Sequence, residues 1–141
     1  MRLKSIKLTP FRGYRTTTLI PIDEAMTGIV GRNDYGKSTI LEALAIFFET
    51  DGFKADKNDM NCFSLHAGVE QFEIACVFDD LPEMLVLDEN ADTTLSREYL
   101  LNAAGDLEIV KIYKAATGRL ERTVIRCQHP ADQVLSTLLS L

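Results

Sequence analysis

The chain has 141 residues, enough for one domain with a buried core. Hydrophobic residues make up 46% and charged residues 26%, which excludes general disorder, and no apolar run approaches the ~20 residues of a membrane-spanning helix. With 15 basic against 21 acidic residues the net charge is −6, a poor overall match for a nucleic-acid backbone, so binding one would need a local patch or other parts of an assembly.

The opening MRLKSIKLTP carries a charge every few residues and is not a secretory signal. The three cysteines, Cys62, Cys76 and Cys127, are odd in number and widely spaced, without a C-x-x-C pair. That usage fits a reducing compartment, and the expected location is cytoplasmic, with no membrane partner. Cys76 falls inside an apolar alternation and is expected in the core.

In chain order, Leu3, Ile6 and Leu8 mark a first strand closed by Pro10. Phe11-Arg12-Gly13-Tyr14 is a turn with two aromatics, and residues 16–22 form a β-branched, apolar strand ended by Pro21 and Asp23. Residues 26–30 are a short apolar strand running into a glycine. The period then changes. Ile40, Leu44, Phe47 and Phe48, with Leu41 beside them, put one buried stripe on a helix over 37–49, which Asp51-Gly52 stops. Residues 53–70, with KADKNDMN at their centre, are expected as a surface loop.

Phe72, Ile74, Cys76 and Phe78 alternate along a half-buried strand ended by Asp79-Asp80-Leu81-Pro82. An irregular stretch is expected to about Gly105. Residues 108–114 and 119–127 then form a hairpin across Ala115-Ala116-Thr117-Gly118. From Pro130, the leucine-rich tail (Val134, Leu135, Leu138, Leu139, Leu141) predicts a helix over 130–141 that leads out of the domain.

One segment carries chemistry. Gly31-Arg32-Asn33-Asp34-Tyr35-Gly36-Lys37-Ser38 satisfies G-x-x-x-x-G-K-[ST], the phosphate-binding loop, with a predicted strand before it and a predicted helix after it. Glycines at 31 and 36 let the backbone bend and approach oxygens closely. The loop amides and the helix N-terminus favour a β-phosphate. Lys37 can reach the β- and γ-phosphates, and the Ser38 hydroxyl can hold the Mg²⁺ that bridges them.

With these residues in view, LKSIKLTPFRGYR followed by GIVGRNDYGKSTILEALAIFF resembles the start of the ATPase heads of RecF, SMC and OLD (overcoming lysogenization defect) proteins. Asn33 fits their G-x-N-x-x-G-K-[ST] loop. Asp34 stands where SMC-type heads usually carry glycine, and N-D-x-G-K-S is closer to the OLD-like branch. FEIACVFDDLP, EYLLNAAGDLEIVKIY and KADKNDMN also look OLD-like. The resemblance implies an α/β P-loop NTPase fold, the N-terminal lobe of an ABC-type head over residues 1–141 with a mixed β-sheet. It implies ATP and Mg²⁺ as cofactors, a second head as partner in a homodimer, and DNA contacted through the parent assembly. A nuclease module, if there is one, lies elsewhere.

By the same likeness Phe11 and Arg12 lie near the nucleotide, with Arg12 reaching a phosphate or the ribose; the alternative is a surface arginine in a turn. Asn33 shapes the loop or faces the γ-phosphate across a dimer. Thr39 follows the Mg²⁺ ligand and contacts the α-phosphate. Arg32 and Tyr35 point outward, toward a partner or solvent.

Hydrolysis also needs a carboxylate at the end of a second strand. Met84-Leu85-Val86-Leu87-Asp88-Glu89 imitates that pattern, as does Ile74-Ala75-Cys76-Val77-Phe78-Asp79-Asp80. Between the strand ending near Asp80 and Leu85 there is no room for the dozen-residue crossover a parallel neighbour requires. The resemblance implies that this region is a loop and that the catalytic acidic pair lies far downstream, so this lobe by itself is expected to be inactive. No L-S-G-G-type signature occurs, and Gln128 is a better candidate than Gln71 for touching Mg²⁺. Two other readings stay open: a self-sufficient small NTPase or kinase using Asp88, and a non-catalytic interaction module.

Overall fold

Period-two alternation along the main strands builds one antiparallel sheet, because each has an apolar face to bury. The computed structural model describes residues 1–22, 37–81, 85–88, 91–93, 101–127 and 139–140. The sheet contains β1 (Arg2–Thr9), β2 (Thr18–Pro21), β3 (Gln71–Asp79), β6 (Leu107–Lys114), β7 (Leu120–Arg126) and β8 (Leu139–Ser140). Their spatial order is β2-β1-β3-β6-β7-β8. Two strands, β4 (Leu85–Asp88) and β5 (Ala91–Thr93), form a separate hairpin. All described pairings are antiparallel. Pro21 lies within β2 rather than beyond it, which an edge strand tolerates because one side makes no ladder bonds.

Register sets the faces. Ile6 opposes Cys76, which opposes Ile109, which opposes Ile125. That side carries Ile6, Leu8, Phe72, Ile74, Cys76, Phe78 and Tyr113 into the main core. Burial pushes the Cys76 thiol up to about 12 against the opposing pull of Lys111, so this cysteine is packing material and not a nucleophile. β3 was expected to be half-buried. It is instead third of six strands, and Ala75 and Val77 on its other face are buried as well. That second face holds Ala75, Val110, Ile112 and Val124, bordered by charge. Glu108 is only 2% exposed there and takes Lys7 Nζ at 3.0 Å and Arg126 Nη1 at 2.9 Å. A carboxylate that deep is tolerable because two cations compensate it.

The helix α1 (Lys37–Phe47) lies on the core side of the sheet and is shorter than expected. Its buried stripe is Ile40, Ala43, Ile46 and Phe47, with Leu44 partly buried, whereas Leu41 is 58% and Phe48 53% exposed. Of Phe47, Phe48, Phe72 and Phe78, the three others are buried. The helix stops before Asp51-Gly52. Glu49 adopts φ +54°, its amide donates to Ile46 O, and the Thr50 amide donates to Ala45 O. This is a Schellman ending with glutamate at the position that favours glycine. Lys111 of β6 closes the end: Nζ donates to Phe47 O at 2.8 Å and pairs with Glu49 at 3.2 Å. A cation there complements the negative end of the helix.

Residues 53–70 are more than a surface loop. They contain a 3₁₀ turn (Lys57–Asp59) and the short helix α2 (Cys62–His66), and they bury Asp59, Met60, Asn61 and Ser64. The irregular stretch after Leu81 contains the β4–β5 hairpin. The helix expected over 130–141 does not reach its end, because Leu139–Ser140 pairs as a strand with Val124 and Ile125. The mixed period of a leucine-rich tail serves a strand as readily as a helix. The predicted strand 26–30 and residues 128–138, Gln128 among them, lie outside the described residues. Among the described residues no helix is long and apolar enough to cross a membrane.

The β6–β7 hairpin turns at Gly118, with φ +73°. A Cβ there would stand 2.3 Å from the Asp56 carbonyl carbon and 2.5 Å from its Cα. Backbone cannot yield as a side chain does. Gly118→Ala therefore combines left-handed strain with overlap, and it should cost about 2–4 kcal/mol in urea unfolding. A loss under about 0.5 kcal/mol would show that the 56–57 backbone is free to move away.

Candidate functional site

Of the candidate phosphate-loop residues, the structure describes only those that open α1. Gly31, Asn33, Asp34 and Gly36 lie outside the described residues; Lys37 and Ser38 open the helix, and Thr39 follows. Rotation of ~100° per residue carries the chain from exposed Ser38 through half-buried Thr39 to buried Ile40. Ile40, Ala43, Ile46 and Phe47 fix the helix on the core shared with β1 and β3. No acidic residue occupies the first turn of α1. The positive dipole end is thus unopposed by carboxylates of that turn, while Lys111 complements the opposite end. The arrangement suits an anion at the N-terminus and leaves the Ser38 hydroxyl accessible to a cation shared with that anion.

Arg12 is brought beside the same helix. Phe11 and Tyr14 close the turn by exchanging backbone hydrogen bonds at 2.9 and 2.8 Å, and Phe11 is fully buried. The Arg12 backbone has φ +47°. Its amide donates to Asp59 O at 2.7 Å, and Asn61 Nδ2 donates to its carbonyl at 2.6 Å. The guanidinium Nε donates to Asp59 Oδ1 at 2.8 Å, and Nη1 pairs with Glu42 of α1. Burial works against its charge, but the hydrogen bonds to Asp59 and Glu42 prevail and raise its pKa above the ordinary arginine value. The side chain is 29% exposed, so it is neither a free surface arginine nor sealed from a ligand.

The sequence reading missed Glu42, Asp59 and Asn61. A signal was present for two of them. Asp56-x-x-Asp59 is a reciprocal cap: the Asn58 amide donates to Asp56 Oδ1 and the Asp56 amide to Asp59 Oδ2. Asn61 caps α2 in one direction, its Oδ1 accepting from the Ser64 amide at 3.1 Å. Two caps in six residues mark ordered structure even in a polar stretch.

Asp88 ends β4, whose partner is β5 in the small hairpin, apart from the six-stranded sheet. A groove of about 390 Å³ lies at the C-terminal end of α1, lined by Glu49, Asp51, Phe53, Tyr113 and Arg119 among others. It is not the phosphate site, since the carbonyl end of a helix repels anions.

Residues 1–139 match the family of AAA ATPase domains. The chromosome partition protein Smc of Lactiplantibacillus plantarum is 29% identical over 112 residues, covering 75% of this chain but 9% of that protein. Among solved structures, a chain from work on ATP-driven dimerization and DNA-stimulated activation of SMC ATPases superposes with a TM-score of 0.53. It is 15% identical and covers 89% of this chain and 68% of that one. The SMC head domain from Thermotoga maritima gives 0.50 at 19% identity, over 91% of this chain and 38% of that one. The chain thus spans about a tenth of the length of the curated relative. The expected α/β P-loop head lobe is the fold these structures share, and by its family match the chain belongs to the AAA ATPase domains.

Proposed function

We propose that this domain binds ATP–Mg²⁺ as part of a dimerising, DNA-acting ATPase of the OLD-like branch of RecF- and SMC-type heads, in DNA repair or phage defence. The observation that carries the reading is the start of α1. Lys37 and Ser38 directly follow a G-x-x-x-x-G segment at a helix N-terminus whose first turn holds no carboxylate. Gly31 and Gly36 would let the loop approach phosphate oxygens, and Asn33 and Asp34 would shape it. Lys37 would neutralise the β- and γ-phosphates, Ser38 would hold Mg²⁺, Thr39 would contact the α-phosphate, and Arg12 would add a second cation. The bound metal offsets phosphate charge; this chain's residues bind and orient. The similarity to SMC heads supports a second head as partner and DNA as the object acted upon, while any cleavage falls to a nuclease module elsewhere. The setting is cytoplasmic.

Asp88 is not the hydrolytic carboxylate in this reading, because among the described residues it ends a short strand paired antiparallel with β5, apart from the six-stranded sheet. The isolated 141-residue chain should bind ATP weakly, more tightly with Mg²⁺, and release phosphate no faster than background. Calorimetric titration with and without Mg²⁺, beside a phosphate-release assay, checks both. Steady hydrolysis lost in Asp88→Ala would establish a self-sufficient NTPase instead. Absence of any ATP binding would leave an interaction module.

A further inference from the structure

The Arg12 turn contains a feature that phosphate binding alone does not explain. Arg12 holds a left-handed backbone conformation at φ +47°, which is strained for a non-glycine residue. Glycine is adjacent at 13, where φ is not positive. An arginine therefore occupies the strained position and the glycine the relaxed one. The Arg12 amide donates to the Asp59 carbonyl and the Arg12 carbonyl accepts from Asn61 Nδ2, so the strained residue is held on both sides.

The guanidinium is clamped with equal economy. Asp59, almost fully buried, takes Nε, and Glu42 takes Nη1. Among the described residues no partner takes Nη2. Glu42 lies four residues after Ser38 and three after Thr39, so all three share one face of α1. The clamp thus parks Arg12 about one helical turn from the residues assigned to Mg²⁺ and the α-phosphate.

We propose that Glu42 and Asp59 are positioning residues of the nucleotide site, holding the Arg12 guanidinium over the Ser38–Thr39 face of α1 with its Nη2 edge left to take a nucleotide phosphate. This rests on the nucleotide reading above. A lone arginine loses rotamer freedom when it binds; one already fixed by two carboxylates has little left to lose. Glu42 and Asp59 touch no ligand and act through Arg12.

The test is a set of ATP–Mg²⁺ titrations on the full chain, with thermal melts to monitor folding. Glu42 is partly exposed on a helix, and alanine is a good helix former, so Glu42→Ala should fold. It should weaken ATP about three- to tenfold, while Glu42→Gln, which keeps an acceptor oxygen, stays within about twofold. Arg12→Ala should weaken ATP about tenfold, and adding Glu42→Ala to it should cause no further loss. That non-additivity is the signature of action through Arg12, since a merely structural role would give the same loss in both backgrounds. Equal losses in the two backgrounds, or unchanged affinity in Glu42→Ala, would overturn the proposal. Lys37→Ala serves as the control: if it binds as the unaltered chain does, the nucleotide reading itself has failed, whatever Glu42 does.

Discussion

Lys37→Ala should lose ATP by on the order of 100-fold while melting at the same temperature or slightly higher. The two halves of that expectation have separate causes. An ammonium facing two phosphates makes charge-assisted contacts of about 1.5–3 kcal/mol each, and about 1.4 kcal/mol is tenfold in affinity. Stability moves the other way. Lys37 is the first residue of α1, where a cation opposes the helix dipole, and alanine is the better helix former. Calorimetry and a thermal melt on the same sample separate binding from folding. A variant that binds ATP normally would remove Lys37 from the site, and a variant that melts early would give it a packing role instead.

Phe72→Ala should cost about 3–5 kcal/mol, much of the ~5–15 kcal/mol that holds a domain together. Phe72 is almost wholly buried on β3. Its ring stacks on Tyr113 of β6 at 5.2 Å and 12°, and it leans on Phe11 at 5.9 Å. The truncation opens a cavity where three elements meet, and the central strand of a sheet cannot shift to fill it. The damage should extend to the site, because Phe11 precedes the clamped Arg12. A urea titration gives the magnitude. A loss below about 1 kcal/mol would mean that this aromatic cluster is not the centre of the core.

The candidate phosphate-loop residues are proposed from sequence because the spacing of the motif is itself the mechanism it serves. Glycines at 31 and 36, followed by Lys37 and Ser38, form a local pattern whose geometry depends on backbone freedom and a helix start. The fold class, β1, β3 and the β6–β7 hairpin were legible for a related reason. Period-two alternation is a local property, and Gly118 marks its own turn.

Tertiary structure decided what depends on neighbours distant in sequence. Whether Leu41 and Phe48 or Ala43 and Ile46 face the core depends on the angle at which α1 meets the sheet, and the small Ala43 allows close approach. β3 sits inside the sheet because β1 and β6, both distant from it in the chain, pair with its two edges. The tail pairs as β8 because β7 offers an open edge. The role of Asp59 was invisible for the same reason: a polar loop residue acquires meaning only when Arg12, 47 positions earlier, arrives to be held. Sequence by itself determined the phosphate-loop pattern and the period of the main strands. Only the packing of distant segments decided which charged groups surround Arg12, since an ion pair across that separation leaves no periodic trace in the chain.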